Sequence, residues 1–165
     1  MTPLNDAMKE KFHKLVELEE PNTDWEPVIS IGTAANIVKL SPSALRKYEK
    51  EGLLIFYRTE SGRRLLSLAD LKRLRMIQRM IKGVGLNMEG IRRLLALLPC
   101  WQIKPCENGC NYETNCSCEA HTNTTVPCWM IENKACGQEK KNCRDCNVYR
   151  YGAYATDIMK ELLLN

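Results

Sequence analysis

All nine cysteines of this 165-residue chain fall between Cys100 and Cys146. Cys128, Cys136, Cys143 and Cys146 follow the spacing C-x7-C-x6-C-x2-C. Four thiolates ending in a C-x-x-C pair are a complete set of soft ligands for tetrahedral zinc or an iron-sulfur cluster. Upstream, Cys100, Cys106, Cys110, Cys116 and Cys118 form a second group, with His121 just beyond it. "PCWQI" at Pro99 is echoed by "PCWMI" at Pro127, which marks two related units. His121 reads either as an ordinary histidine of a polar loop or as a further ligand. Trp101 and Trp129, each directly after a cysteine, either shield a metal centre from water or supply the apolar filling of a small module.

The surroundings of these thiols narrow their chemistry. No run approaches the roughly 18 apolar residues of a membrane span, and the charged start "MTPLNDAMKEKFHKLVELEE" is unlike a secretory signal. The expected location is therefore cytoplasmic, with no membrane partner. Thiols stay reduced there, and cysteine clusters point to metal more than to disulfides. An odd count of nine also leaves one thiol over in any fully disulfide-bonded scheme. Reversible disulfides remain a third reading, because Lys140, Lys141 and Arg144 lie beside the thiols in sequence and cations favour the thiolate.

Charge is unevenly distributed. Residues 1–27 carry three Lys and Arg against seven Asp and Glu, residues 28–98 fourteen against five, and residues 99–165 seven against eight. The middle segment is thus at +9 within a chain of net +4. Such a segment calls for a polyanionic partner, since Lys and Arg bind phosphate while displacing condensed counterions.

The elements that position these groups are legible from caps and periodicity. Leu4, Met8, Phe12 and Leu15 give an amphipathic N-terminal helix that Pro21 ends. "IGTAANIVKL" reads as a short helix with Ala34, Ala35, Ile37 and Val38 available for packing. Ser41 as N-cap, Pro42 in the first turn and Gly52 as a stop define a second, and the pair forms a helix-turn-helix. "LLIFYRTESGRRLLS" then gives a two-stranded wing turning at "TESG". Ser67 and Asp70 form a capping box for a third helix ending at Gly83, and Asn87 caps a fourth that Pro99 ends. From Cys100 to Cys146 no periodicity is evident, and the apolar content is too low for a separate core, so order there must come from metal or cross-links. Tyr151, Ala155, Ile158, Met159 and Leu162 share one stripe of a last helix, a core contact or a dimer contact.

The blocks "IGTAANIVKLSPSALRKYEKEGLL", "RTESGRRLLSLADLKRLRMIQ" and "GLNMEGIRRLL" resemble the winged helix-turn-helix of MerR-type bacterial transcription regulators over roughly residues 29–98. The resemblance implies a recognition helix in the major groove, carrying Ser43, Arg46, Lys47 and Tyr48. It also implies a wing that holds phosphate through Arg58, Arg63 and Arg64. Arg offers paired donors for phosphate or guanine, and Tyr can bond a phosphate oxygen. Glu49 and Glu51 are expected to orient neighbouring side chains or pair with Lys rather than touch DNA. The family commonly has an aromatic residue after the wing glycine, where this sequence has Arg63. Pro99 stands where the family's long dimerisation helix begins, which moves the expected dimer contact to the last helix. Some members sense metals through cysteines and one branch senses redox stress through a [2Fe-2S] cluster, although its compact cysteine motif is not reproduced here. Iron-sulfur is therefore preferred over zinc.

The resulting expectation is a mainly α protein. It has an N-terminal helix over 1–26, a winged helix-turn-helix domain over 27–98, a small irregular cysteine-rich metal-bound module over 99–150 and a C-terminal helix over 151–165. Its expected activity is that of a homodimeric, non-enzymatic regulator binding double-stranded operator DNA, with RNA polymerase a candidate partner. Its cysteines would sense redox state, oxygen or metal. The alternatives are a DNA-binding regulator with purely structural zinc, a thiol or electron-transfer enzyme, and an architectural factor of excisionase type.

Overall fold

A computed structural model describes residues 23–103, 118–132, 134–136 and 143–152. The expected N-terminal helix as far as Pro21, Cys106, Cys110 and Cys116, Lys140 and Lys141, and the last helix beyond Gly152 lie outside the described residues.

The described chain is mainly helical, with one small antiparallel sheet. Strand β1 (Ile29–Ser30) runs directly into helix α1 (Ile31–Val38), whose N-cap Ser30 accepts from the Thr33 amide. Lys39 ends α1 in the left-handed conformation, φ 55°, and two residues later Ser41 caps helix α2 (Pro42–Lys50). The two caps and the proline at the start of α2 fix the sharp corner of the helix-turn-helix. Ala34 and Ala35 are fully buried where α1 meets α2, their small side chains allowing close approach. Ile37, expected to pack, is instead 44% exposed, because it lies at the edge of the buried stripe, about 100° round α1 from Val38.

Gly52, φ +74°, reverses the chain after α2, and Leu53, Leu54, Ile55 and Phe56 then run buried toward strands β2 (Tyr57–Arg58) and β3 (Arg64–Leu66). The wing is therefore present, but it is the outer part of a three-stranded sheet of order β1-β3-β2, with Ile29 opposite Leu66 and Tyr57 opposite Leu65. A two-residue strand is too short to show period-two alternation, which is why β1 escapes a reading by pattern. Helix α3 (Leu68–Lys82) starts at the full Ser67–Asp70 capping box, and helix α4 (Met88–Ala96) at Asn87, whose side chain accepts from the Gly90 amide.

The cysteine-bearing segments add short helices: α5 (Cys100–Ile103), α6 (Glu119–Thr122), a 3-10 turn (Cys128–Met130) and α7 (Asn147–Tyr151). Ile103, Trp129, Val148 and Tyr149 enter the same apolar cluster as Leu45, Leu53, Leu74 and Ile77. The described segments of this region thus dock on the core of the helix-turn-helix domain, each buried aromatic side chain covering about 150–250 Å².

Candidate functional site

Two clusters of functional side chains stand on this frame. The first faces outward from α2 and the wing. Ser43, Arg46 and Lys47 are exposed on α2, with the Ser43 hydroxyl 2.8 Å from that of Ser41. Tyr48 is buried in the core, and burial raises its phenol above the usual range. On the wing, Arg58 and Arg63 are exposed and Arg64 is half-buried, its guanidinium 6.0 Å from the Phe56 ring centre.

Glu49 ties helix to wing. Its Oε1 accepts from Arg58 at 2.8 Å and its Oε2 from Arg64 at 3.0 Å. One carboxylate on the last turn of α2 thereby holds two arginines of the neighbouring strands at a fixed distance from the exposed face of that helix. Glu51 likewise accepts from Arg92 of α4. The wing tip is stiffened by its own bonds: Gly62 N to Thr59 O at 2.8 Å, Thr59 N to Arg63 O at 3.0 Å, and Arg63 N to the Thr59 hydroxyl at 3.0 Å. Gly62 takes φ +79° there, a conformation that L side chains rarely adopt.

The second cluster faces inward. Cys100, Cys118, Cys128, Cys136, Cys143 and Cys146, all the described cysteines, line one cavity of about 30 Å³ together with Trp129, Lys134, Val148 and Tyr149. The structure thus brings Cys100 and Cys118 of the first group to the same pocket as the four of the second. His121 lies on α6 and is not part of this lining. The side chain of Trp101 lies outside the described residues, whereas that of Trp129 forms a wall of the pocket.

Burial disfavours the thiolate of Cys128 and of Cys143, while Lys140 and Lys141, two of the cations expected beside the thiols, lie outside the described residues. Burial, together with Cys100, Cys146, Cys143 and Cys136 around it, pushes the Cys128 thiol far up. Burial also raises Cys143, opposed by Lys134, whose ammonium donates to its sulfur at 3.1 Å. Arg144 turns away from the sulfurs altogether and makes a buried ion pair with Asp70.

As a ligand set, six thiols on one cavity suit a thiophilic metal, and an N–H···S bond such as that from Lys134 is the kind of outer contact that tunes such centres. Among the described residues, however, no three of His, Cys, Asp and Glu stand ready to hold an ion. The donor chemistry of the six thiols fits a thiophilic metal.

Sequence reasoning missed the connections between the two clusters. The Trp129 indole donates to the Gly52 carbonyl at 2.7 Å, and the Tyr149 hydroxyl accepts from the Ile55 amide at 2.8 Å. Arg73 of α3 is 1% exposed and donates to the carbonyls of Leu53 at 2.8 Å and Tyr149 at 2.6 Å. Its guanidinium lies 4.0 Å from the Tyr149 ring centre and 5.3 Å from that of Trp129. An arginine amid the apolar period of α3 was the signal available for this last contact.

Residues 29–98 match the family model described as MerR HTH family regulatory protein. Over 75 residues the chain is 36% identical to a protein of Streptomyces coelicolor named for heat shock, HspR, covering 46% of this chain and 50% of that protein. It is 38% identical over 68 residues to the HTH-type transcriptional regulator ZntR of Escherichia coli K12, covering 41% and 48%. The chain spans about half the length of the curated relatives it matches. Among the described residues no helix is long and apolar enough to cross a membrane.

Proposed function

Residues 29–98 are a MerR-family helix-turn-helix domain, and from that premise we propose that the chain is a dimeric, non-enzymatic transcription regulator that binds operator DNA and is controlled through its cysteine pocket. The observation that carries the DNA reading is the Glu49 clamp. It presents Arg58 and Arg64 of the wing beside the exposed Ser43, Arg46 and Lys47 of α2. A helix of this kind fits the major groove, while flanking arginines bond phosphates and set its register. Tyr48, being buried, acts by packing α2 rather than through open exposure to phosphate.

In this reading Cys100, Cys118, Cys128, Cys136, Cys143 and Cys146 supply the ligands of an iron-sulfur cluster or zinc. When bound, an iron-sulfur centre supplies one-electron redox chemistry and zinc a cross-link sensitive to metal supply. The protein's own contribution is a reduced set of sulfurs, the Lys134 contact to Cys143, and aromatic walls that limit water. The dimer contact is assigned to the last helix, with RNA polymerase bound beside the operator as a candidate partner.

The test is selection from a random duplex pool with protein purified without oxygen, followed by salt titration on the selected duplex and analysis of iron, sulfide and zinc. A selected sequence with two-fold symmetry and a steep salt slope is expected. Equal affinity for every duplex would reduce the reading to non-specific binding. A pocket that holds no metal under any supply would remove the metal centre.

A further inference from the structure

We infer that Trp129 and Tyr149 carry the state of the cysteine pocket to the backbone joining the recognition helix to the wing, through their bonds to the Gly52 carbonyl and the Ile55 amide. The inference rests on the pocket taking up a metal, and it adds the route by which that event is felt. Both side chains line the pocket on one side and bond to residues 52–55 on the other. Their rings pack edge to face, with centres 5.2 Å apart.

The geometry makes the pocket's two states differ in position. Trp129 directly follows Cys128, and Tyr149 lies on α7, whose N-cap is Cys146. The sulfurs of Cys128 and Cys146 line the same pocket as the two rings, so a change in their separation on coordination passes directly to the segments that bear Trp129 and Tyr149. A ligand shifts a conformational equilibrium only through such a difference.

The receiving end is equally specific. Gly52 closes α2, and Ile55 lies two residues before β2. A Cβ on Gly52 would come 1.8 Å from the Met130 sulfur, so the 3-10 turn of Cys128–Met130 sits directly against the end of the recognition helix. Displacement there changes the angle between α2 and the wing, which Glu49 otherwise fixes.

The experiment uses the full reduced chain without oxygen, as wild type, Tyr149→Phe and Trp129→Phe, titrated with zinc. Metal bound per chain and amide hydrogen exchange of residues 52–56 are measured together. In the wild type, zinc uptake should shift exchange of the Ile55 amide by about threefold to tenfold, the scale of one hydrogen bond. Tyr149→Phe, which removes only the hydroxyl, should bind as much zinc and lose most of that shift. Trp129→Phe should reduce it as well. An identical shift in all three proteins, or none in zinc-loaded wild type, overturns the inference. If the wild type takes up no zinc, the metal reading falls separately. Methylmercury, which caps thiols, then loads the pocket, and the coupling stands or falls on the same exchange shift.

Discussion

Arg144, inside the C-x-x-C pair of Cys143 and Cys146, donates at 2.6 Å to Oδ2 of Asp70, the carboxylate oxygen that also receives the Ser67 amide in the capping box of α3. Both side chains are almost wholly buried, 4% and 1% exposed, and Arg144 donates in addition to the Trp25 carbonyl. One carboxylate thus serves a helix start and a long-range tie at once. Removing one partner of a buried pair leaves the other charge without compensation. Arg144→Met should therefore lower stability by about 3–5 kcal/mol in urea unfolding. A loss below about 1 kcal/mol would show that the cysteine segment is held by its aromatic contacts alone.

Glu49→Gln tests the clamp between helix and wing. The substitution frees Arg58 and Arg64 from their shared carboxylate and removes a negative charge beside the proposed DNA face. Affinity for random-sequence duplex should rise about twofold to fivefold, the scale of an exposed ion pair, with a steeper salt slope. Discrimination in favour of the selected duplex should fall, because the wing arginines lose their fixed position. A variant with unchanged discrimination would show that the clamp does not set wing geometry.

Arg46 and Tyr48 lie two residues apart on α2, yet their substitution should separate into different measurements. Arg46→Ala should weaken duplex binding by about 1–3 kcal/mol and leave the thermal midpoint in place. Tyr48→Ala removes a ring from the core and should cost about 3–5 kcal/mol of stability, as large-to-small aromatic changes do. Calorimetry and a salt-resolved binding titration on both variants decide the matter. A stability loss for Arg46→Ala would place its side chain in the packing rather than at the surface.

Tyr149 makes stability depend on alkali. Burial raises its phenol from 10.0 to about 12 in the folded chain, with Arg73 acting in the opposite direction. The folded state therefore holds this proton more tightly than the unfolded state. The contribution is fully present below pH 10, and it is lost as pH rises from there through about 12. Tyr149→Phe should flatten that part of the stability profile relative to wild type. Equal slopes for the two proteins between these limits would mean that the hydroxyl is not desolvated.

The sequence made the caps, the wing turn and the helix-turn-helix legible because each is a local device. Ser41, the Ser67–Asp70 box, Asn87 and Gly62 act on residues within four positions of themselves, so spacing alone identifies them. The links between residues 52–55 and residues 129–149 have no such signature. Trp129 read as a shield for a metal centre or as filling for a small module, and Tyr149 drew no reading, because nothing local shows that their polar ends would find the backbone beyond α2. Arg144 read as a cation beside thiols for the same reason, its carboxylate partner lying 74 positions away. The grouping of Cys100 and Cys118 with the later cysteines was likewise invisible, since it arises where α5 and α6 pack together.

The hydrogen bonds from Trp129 to Gly52 and from Ile55 to Tyr149 close loops of 77 and 94 residues. Synthesis runs from the N-terminus, so the recognition helix and wing leave the ribosome well before the residues that complete their joint. At about 5–20 residues per second, the backbone at Gly52 and Ile55 waits several seconds for its partners. During that interval the contacts among α1 to α4, all within the first hundred residues, are available, while Trp129 and Tyr149, which share the core cluster with Leu53 and Leu54, have yet to be made. Each newly made chain therefore passes through a stage with α2 in place and the cysteine-bearing segments still undocked, and under the proposed function any control through those segments begins only after the last of these contacts is made.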